Sequence, residues 1–314
     1  MIMITYDQAV PERLHHAVVA IGNFDGVHLG HADLLGRARS LASKRSAPLV
    51  VLTFTPHPRR FFRPDDAPFL LTPGVMQHDR LATHAVEGVI TVAFDQPFSH
   101  LSPEQFINQI LHARLHAQAV VVGTDFHFGH NRAGNIDTLR QAGFLVETSP
   151  LIRDTHGVVI SSTRVRGCLA EGHIDEANAL LGWNWFLHGM VVHGDARGRT
   201  LGYPTANIWL HETVAPAHGI YAAWVTLPNK SRHMAAVAIG RRPMFEVPQT
   251  LCEAHLLNFT GDLYDQILAV EPVRKLRDEA RFDTLDALVA QMKKDCDSAR
   301  NLLTHMINKS NEES

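Results

Sequence analysis

The chain predicts a parallel α/β domain with helices on both faces of its sheet, followed by a small antiparallel β-barrel closed by one helix. Three observations predict it. Short, continuously apolar runs alternate with helical patterns through the first half, the signature of buried parallel strands. After Gly182 the segments turn short and alternating, broken by Gly and Pro, with few helical patterns between them, as in small barrels. The length, 314 residues, exceeds what one ordinary core needs.

The elements follow in order. Ala17-Val18-Val19-Ala20-Ile21 reads as a buried strand that stops at Gly22. From Leu34 to Lys44, Leu34, Leu35, Ala38 and Leu41 share one helical face. Pro48 then breaks the helix before the apolar strand Leu49 to Phe54. Further strands are expected at Gly88 to Val92 and Ala119 to Gly123, with a helix from Ser102 to Leu115 started by Ser102, Pro103 and Glu104. In the second half, strands are expected at Gly189 to His193, Tyr221 to Leu227, Met234 to Ile239, Thr250 to Phe259 and Gln266 to Val270. A closing amphipathic helix carries Leu285, Leu288, Val289, Met292, Cys296 and Ala299 on one stripe, with Asp283 as its expected cap. The expected domains are 1–182 and 183–308, with 309–314 a tail.

Composition narrows the function classes. Hydrophobic residues at 45% and charged residues at 19% are a globular balance, not a disordered one. A formal charge of -3 argues against a broad nucleic-acid-binding surface, so bound phosphate has to be held by local constellations. No apolar stretch approaches the ~20 residues of a membrane span, and no signal-peptide pattern is present. Cys168, Cys252 and Cys296 are scattered, with no CxxC pair, which suits a reducing compartment and points to the cytoplasm. Transient self-association is left open.

Two constellations carry chemistry. The first, Gly22-Asn23-Phe24-Asp25-Gly26-Val27-His28-Leu29-Gly30-His31, lies between the first strand and the first helix. Its glycines permit close backbone approach, and a helix N-terminus offers free N–H groups and partial positive charge to a phosphate. His28 and His31, three residues apart, can face the same phosphate as donors. A zinc pair is the weaker reading, because no third ligand sits at a recognisable spacing. Ile160-Ser161-Ser162-Thr163-Arg164-Val165-Arg166 adds three hydroxyls and two guanidiniums, enough donors for a triphosphate.

The second constellation is Gly194-Asp195-Ala196-Arg197-Gly198-Arg199-Thr200-Leu201-Gly202-Tyr203-Pro204-Thr205-Ala206-Asn207. Glycines at 194, 198 and 202 suit a loop wrapped around a polyphosphate, although no Gly-Lys-Ser/Thr of a Walker A loop follows. Pro204 stiffens the turn that presents Thr205 and Asn207, oxygen ligands suited to Mg²⁺. Downstream, Glu253 is the only acid in the apolar run Leu251 to Phe259, on the face of Leu251, His255 and Leu257.

Taken together these strings resemble the bacterial bifunctional riboflavin kinase/FMN adenylyltransferase family, in the family's order and from roughly Ala17 to Leu303. GNFDGVHLGH resembles its HxGH nucleotidyltransferase motif, and Phe54-Thr55-Pro56-His57-Pro58 and Gly123-Thr124-Asp125-Phe126-His127-Phe128-Gly129 resemble its next two stretches. The GRTLGYPTAN string resembles the riboflavin kinase signature. The resemblance implies a Rossmann-like nucleotidyltransferase domain followed by a riboflavin kinase barrel. It further implies ATP as co-substrate, Mg²⁺, and the substrates riboflavin and FMN.

The site residues follow from the same resemblance. Glu253 is the implied catalytic base of the kinase. His28 and His31 act in adenylyl transfer, with Gly22, Asn23, Phe24, Asp25, Gly26, Gly30, Ser161, Ser162, Thr163, Arg164 and Arg166 holding ATP. Phe54, Pro56, His57, Asp125 and Phe128 bind flavin there. Gly194, Gly198, Arg199, Gly202, Pro204, Thr205, Asn207 and Arg277 hold the ligands of the kinase. The Gly261 to Tyr264 loop is implied to lie on the flavin side.

Departures exist. Thr55 replaces a frequent acid, and His127 stands where the family has Arg. Ala238 to Phe245 loses an Asn and two Thr of the usual NIGTRPTF, which bears on the kinase more than on the adenylyltransferase. Two alternatives therefore stay in view: an adenylyltransferase with a weak kinase, and a flavin- or nucleotide-binding regulator without turnover.

Overall fold

The computed structural model describes the chain apart from residues 6, 195–197, 199, 200, 243–248, 313 and 314. It divides into two compact units, Met1–Ala67 with Thr72–Ser162, and Pro68–Leu71 with Thr163–Ser314.

The first unit holds six strands: β1 (Ile2–Thr5), β2 (Val18–Ile21), β3 (Leu49–Thr55), β4 (Gly88–Ala93), β5 (Ala119–Gly123) and β6 (Leu145–Ser149). They lie in the order β1-β4-β3-β2-β5-β6, and every pairing is parallel. Alternation sends each strand's residues to two separate cores. Val18, Ala20, Val51 and Val121 pack with Leu34, Leu35, Ala38 and Leu41 of helix α1 (Leu29–Lys44). Val19, Ile21, Val50, Leu52, Val120 and Val122 pack on the other face with Phe106, Ile110 and Leu111. Each such Val, Leu, Ile or Phe side chain contributes about 1.5–3 kcal/mol by leaving water, which is why the central strands read as unbroken apolar runs.

Some elements differ from the sequence expectation. Strands β1 and β6 were not anticipated; both are edge strands with partly exposed residues, so neither shows an unbroken apolar run. The helix expected from Ser102 starts there, with Gln105 completing a capping box, but is α-helical only over Pro103–Phe106 before π-helical turns over Ile107–His112.

The second unit is a closed antiparallel barrel in the order β10-β11-β8-β7-β12-β9, from β7 (Leu187–Val192), β8 (Ala206–Trp209), β9 (Gly219–Thr226), β10 (Arg232–Arg242), β11 (Gln249–Leu256) and β12 (Ile267–Arg277). The helix Ser162–Glu171 from Thr163 onward and the helix Ile174–Leu181 group with it, and Gly182 (φ 76°) ends the latter in the left-handed conformation glycine favours. The segment Pro68–Leu71 joins this unit through its backbone carbonyls: Trp185 Nε1 donates to Leu71 O (2.9 Å) and Arg166 Nε to Phe69 O (2.6 Å). Strand β8 was not expected, because four residues following a Gly- and Pro-rich string carry too little periodicity to stand out.

The closing helix runs over Leu285–Glu312. Thr284 rather than Asp283 caps it, accepting from Ala287 N. Cys296, Ala299 and Leu303 pack on Ala222, Trp224, Ala236 and Val273 of the barrel, whereas Leu285 is exposed, so the buried stripe begins one turn later than its first leucine.

Candidate active sites

In the first unit the chain runs from β2 out to β3 on one side and later from β5 to β6 on the other. The loops after β2 and β5 therefore share the crevice at the carboxyl ends of adjacent strands, where α/β sheets receive ligands. The loop after β2 is Gly22 to His28. Asp25 Oδ1 accepts from Thr72 N (3.0 Å) and Thr72 Oγ1 (3.4 Å), and Gly26 N donates to the same hydroxyl (2.8 Å). Ser162 Oγ donates to Asp25 O (2.8 Å), which brings the late hydroxyl-rich string to the early turn. Asp25 is thus a turn-building residue as well as a neighbour of the site.

His28 caps α1. Its Nδ1 accepts from Gly30 N (3.1 Å) and His31 N (3.3 Å), so its proton sits on Nε2. The ring is only 7% exposed and stacks on His31, centroids 3.8 Å apart and planes 16° apart. Two parallel imidazoles at a helix N-terminus form a compact donor pair for an anion. His31 Nδ1 is buried without a hydrogen-bond partner. Gly30 is confined by this cap, since a Cβ there would come 3.0 Å from the His28 ring.

Burial, reinforced by His28, holds His31 well below the ordinary histidine value, and burial also lowers His78 and His84. Depressed histidines mean that the folded state binds fewer protons than the unfolded chain below about pH 6.5. Stability should therefore be flat with pH above that value and decline below it, by up to about 1.4 kcal/mol per pH unit for each histidine. Thermal melts between about pH 8 and pH 5 check the sign. His31→Gln should flatten part of the slope.

Beside the loop opens a cavity of about 1010 Å³, touching Gly22 and Asn23 and walled by Phe54, Phe61, Phe62, Phe94, Phe98, Asp125 and Phe128. Phe54 and Phe94 meet edge-on (6.0 Å), Phe61 and Phe62 likewise (5.1 Å), and Phe62 is 66% exposed. An aromatic slot of this size suits a planar heteroaromatic ligand. Of the five flavin-binding residues expected, Phe54, Asp125 and Phe128 line the slot, whereas Pro56 and His57 do not. His57 instead caps the helix Pro58–Phe62, Nδ1 accepting from Arg59 N (3.1 Å), and so positions Phe61 and Phe62. Those two, with Phe94 and Phe98, escaped the sequence reading; the Arg59-Arg60-Phe61-Phe62 string beside Pro-His-Pro was the available signal. Ser161 belongs to this unit with Ser162, while Thr163, Arg164 and Arg166 belong to the second.

In the second unit, strand register makes the site. Glu253 on β11 lies directly across from Asn207 on β8 and, on its other side, from Ala238 on β10. Alternation then divides the side chains between two cavities. Thr205, Asn207, Glu253 and His255 line one of about 330 Å³, together with Gly198, Arg277 and Asp295. Ala206, Ala254 and Leu256 line another of about 350 Å³, with Phe259 and the loop Gly261 to Tyr264. Thr205 lines both. Asn207 is 7% exposed and packs so closely on Gly194 that a Cβ there would lie 2.6 Å from its Nδ2. His255 Nδ1 donates to Pro204 O (2.8 Å), tying β11 to the turn before Thr205. Arg199 and the departure at Met244 lie outside the described residues.

Comparison with known proteins now bears on both units. A family model described as FAD synthetase matches residues 10–164, and one described as riboflavin kinase matches residues 181–303. The bifunctional riboflavin kinase/FMN adenylyltransferase of Haemophilus influenzae is 37% identical over 292 residues, covering 91% of this chain and 94% of the relative. The chain belongs to this bifunctional family. The proteins of the same description from Pseudomonas fluorescens and Escherichia coli K12 are 40% and 39% identical, over 91% and 90% of this chain and 92% and 91% of theirs. A solved structure described as a macrolide-efflux protein from Streptococcus pneumoniae superposes with a TM-score of 0.85 at 32% identity, covering 96% of this chain and 99% of its own. What that structure shares with this chain is the fold over nearly its whole length. Among the described residues no helix is long and apolar enough to cross a membrane.

The family implies Mg²⁺, and the residues present fit it. The side chains of Thr205 and Asn207 are hard oxygen donors lining one cavity, the chemistry Mg²⁺ prefers when phosphates complete its shell. The close Gly194 contact holds Asn207 at that cavity. Gly194→Ala should displace the Asn207 amide and lower riboflavin phosphorylation about 100-fold, the cost of a misplacement near 1 Å. FMN adenylylation by the same variant is the control. The departure at Ala238 places a methyl across from Glu253, removing a polar neighbour from the carboxylate.

Proposed function

We propose that the second unit phosphorylates riboflavin and that the first adenylylates the resulting FMN, each at the residues described above. In functional terms 1–182 carries adenylyl transfer and 183–308 carries the kinase. The observation that carries the kinase half is the register pair Glu253–Asn207 on a cavity wall with Thr205 between two cavities.

That arrangement supports a division of ligands. Riboflavin occupies the cavity of Glu253, and ATP the cavity on the other side of Thr205, against Phe259 and the Gly261 to Tyr264 loop. The loop then serves the nucleotide rather than the flavin. The primary hydroxyl of the ribityl chain attacks the γ-phosphorus of ATP, its proton passes to the Glu253 carboxylate, and ADP leaves. Glycines 194, 198 and 202, with Pro204, shape the phosphate loop. Mg²⁺ held by Thr205 and Asn207 would neutralise charge on the phosphates.

Adenylyl transfer needs no base, because the attacking group is the ionised phosphate of FMN. Its oxygen attacks the α-phosphorus of ATP, and pyrophosphate leaves. His28 donates from Nε2, His31 stands beside it as a neutral ring, and Ser161 and Ser162 serve the departing pyrophosphate. Gly22 to Gly26 let the backbone approach. The flavin ring lies among Phe54, Phe61, Phe62 and Phe128, beside Asp125. The three cysteines are buried and unpaired, which supports a reducing compartment, and we place both reactions in the cytoplasm.

Isotope position tests the scheme. With γ-labelled ATP and riboflavin the label should enter FMN; with α-labelled ATP and FMN it should enter FAD, with unlabelled pyrophosphate released. Label retained in ATP under both conditions overturns it.

A further inference from the structure

Arg277 was expected to touch a ligand of the kinase, yet its guanidinium is largely taken up by the protein. Nε donates to Asp295 Oδ1 (2.9 Å), Nη2 to Asp295 Oδ2 (2.7 Å), and Nη1 to the backbone carbonyl of Asp278 (2.8 Å). Asp295 is 7% exposed, and its Oδ1 also accepts from Gln291 Nε2 (2.9 Å). A bidentate pair of this kind fixes two planar groups in one geometry, and a buried carboxylate with three donors has little freedom to turn elsewhere.

The place of the pair in the fold gives it a consequence. Arg277 is the last residue of β12, where the register with β9 shifts between Lys275 and Arg277. Such an irregularity re-aims a side chain at the end of a strand. Asp295 lies on the closing helix, one turn from Gln291 and beside Met292 and Cys296. Both partners line the Glu253 cavity. So do Glu279, Ala280 and Phe282 from the segment that follows Arg277, and Leu288, Met292 and Cys296 from the helix. The ion pair therefore ties together two pieces of the cavity lining, the segment after β12 and the closing helix, that lie on other elements than Asn207 and Glu253.

We propose that Asp295 is a positioning residue of the kinase: acting through Arg277, it fixes the helix and the Asp278 to Phe282 segment as one wall, and thereby sets riboflavin affinity rather than the rate of phosphoryl transfer. This rests on the assignment of riboflavin to the Glu253 cavity. The Glu253 carboxylate and the Thr205–Asn207 pair sit on other strands, so loosening the wall leaves the reacting groups in place while the flavin loses its seat.

The experiment is steady-state kinetics on the full chain, with riboflavin varied at saturating ATP and Mg²⁺, for Asp295→Asn, Arg277→Gln and the double variant. FMN adenylylation on added FMN controls for the first unit, and a thermal melt of each variant controls for folding of the second. Wild-type FMN formation is established first; its absence would sink the functional assignment and not this inference. The expected result is a KM for riboflavin raised about 10-fold in each single variant, kcat within about twofold, and a double variant no worse than either single one, since one linked pair is broken once. Asp295→Glu, which keeps the charge, should recover part of the affinity. A fall in kcat at unchanged KM, additive effects in the double variant, or loss of FMN adenylylation together with phosphorylation would each overturn the inference, the last because the pair would then serve folding.

Discussion

Glu253→Ala should abolish riboflavin phosphorylation while FMN adenylylation continues at the wild-type rate. A carboxylate that takes a proton in the transition state contributes roughly 10²–10⁴ in rate, and among the described residues no other acid of β8 or β11 lines the cavity. Asp295 and Glu279 also line the cavity, but Asp295 is occupied by Arg277 and Gln291, and Glu279, from the segment after β12, lies against Gly240 of β10. Glu253→Gln keeps the shape and the hydrogen-bonding capacity but cannot accept a proton, so it should fail nearly as badly. Initial rates of ADP release with riboflavin as sole acceptor, beside rates of pyrophosphate release with FMN, check both halves of the expectation.

The second large effect is expected at His28. Removing a donor placed on developing phosphate charge costs about 10²–10³ in kcat, so His28→Ala should nearly stop FAD formation while leaving the kinase intact. His28→Ala carries a second cost, because the ring also caps α1: losing its acceptor for Gly30 N and His31 N should destabilise the first unit by about 0.5–2 kcal/mol. The two roles separate in His28→Asn. Asparagine is a good cap, so stability should recover, but it places no ring N–H at the position of Nε2, so activity should not. Thermal melts and pyrophosphate release on the three proteins give the comparison.

These expectations show which parts of the molecule the sequence discloses. Buried parallel strands are legible because both faces are apolar, so Val18 to Ile21, Leu49 to Phe54 and Ala119 to Gly123 stand out without alignment. Edge strands β1 and β6 are half exposed and lack that signal. The paired histidines at the start of α1 are legible as a donor pair, but not the asymmetry between them. That asymmetry depends on backbone N–H groups pointing at His28 Nδ1 and on the burial of His31, both properties of the folded turn.

The same contrast holds in the second unit. Thr205, Asn207 and Glu253 can be named from the string and the lone acid in an apolar run. That they divide between two cavities follows only from the register of β8 on β11. The Phe61, Phe62, Phe94 and Phe98 wall is assembled from two separate stretches of chain. Asp295 likewise reaches Arg277 across 18 residues of sequence, and no local pattern connects them.

The assignment of two independent active sites, acting in sequence, to one chain makes a direct prediction. It is tested most directly by following riboflavin, FMN and FAD by liquid chromatography with ATP and Mg²⁺, for wild type, Glu253→Ala, His28→Ala, and an equimolar mixture of the two variants. Wild type should form FMN and then FAD. Glu253→Ala should leave riboflavin unchanged, His28→Ala should accumulate FMN, and the mixture should restore FAD, because FMN made by one protein is consumed by the other. If either substitution abolishes both conversions, or if the mixture yields no FAD while His28→Ala still makes FMN and Glu253→Ala still consumes it, the account of two separable sites is wrong.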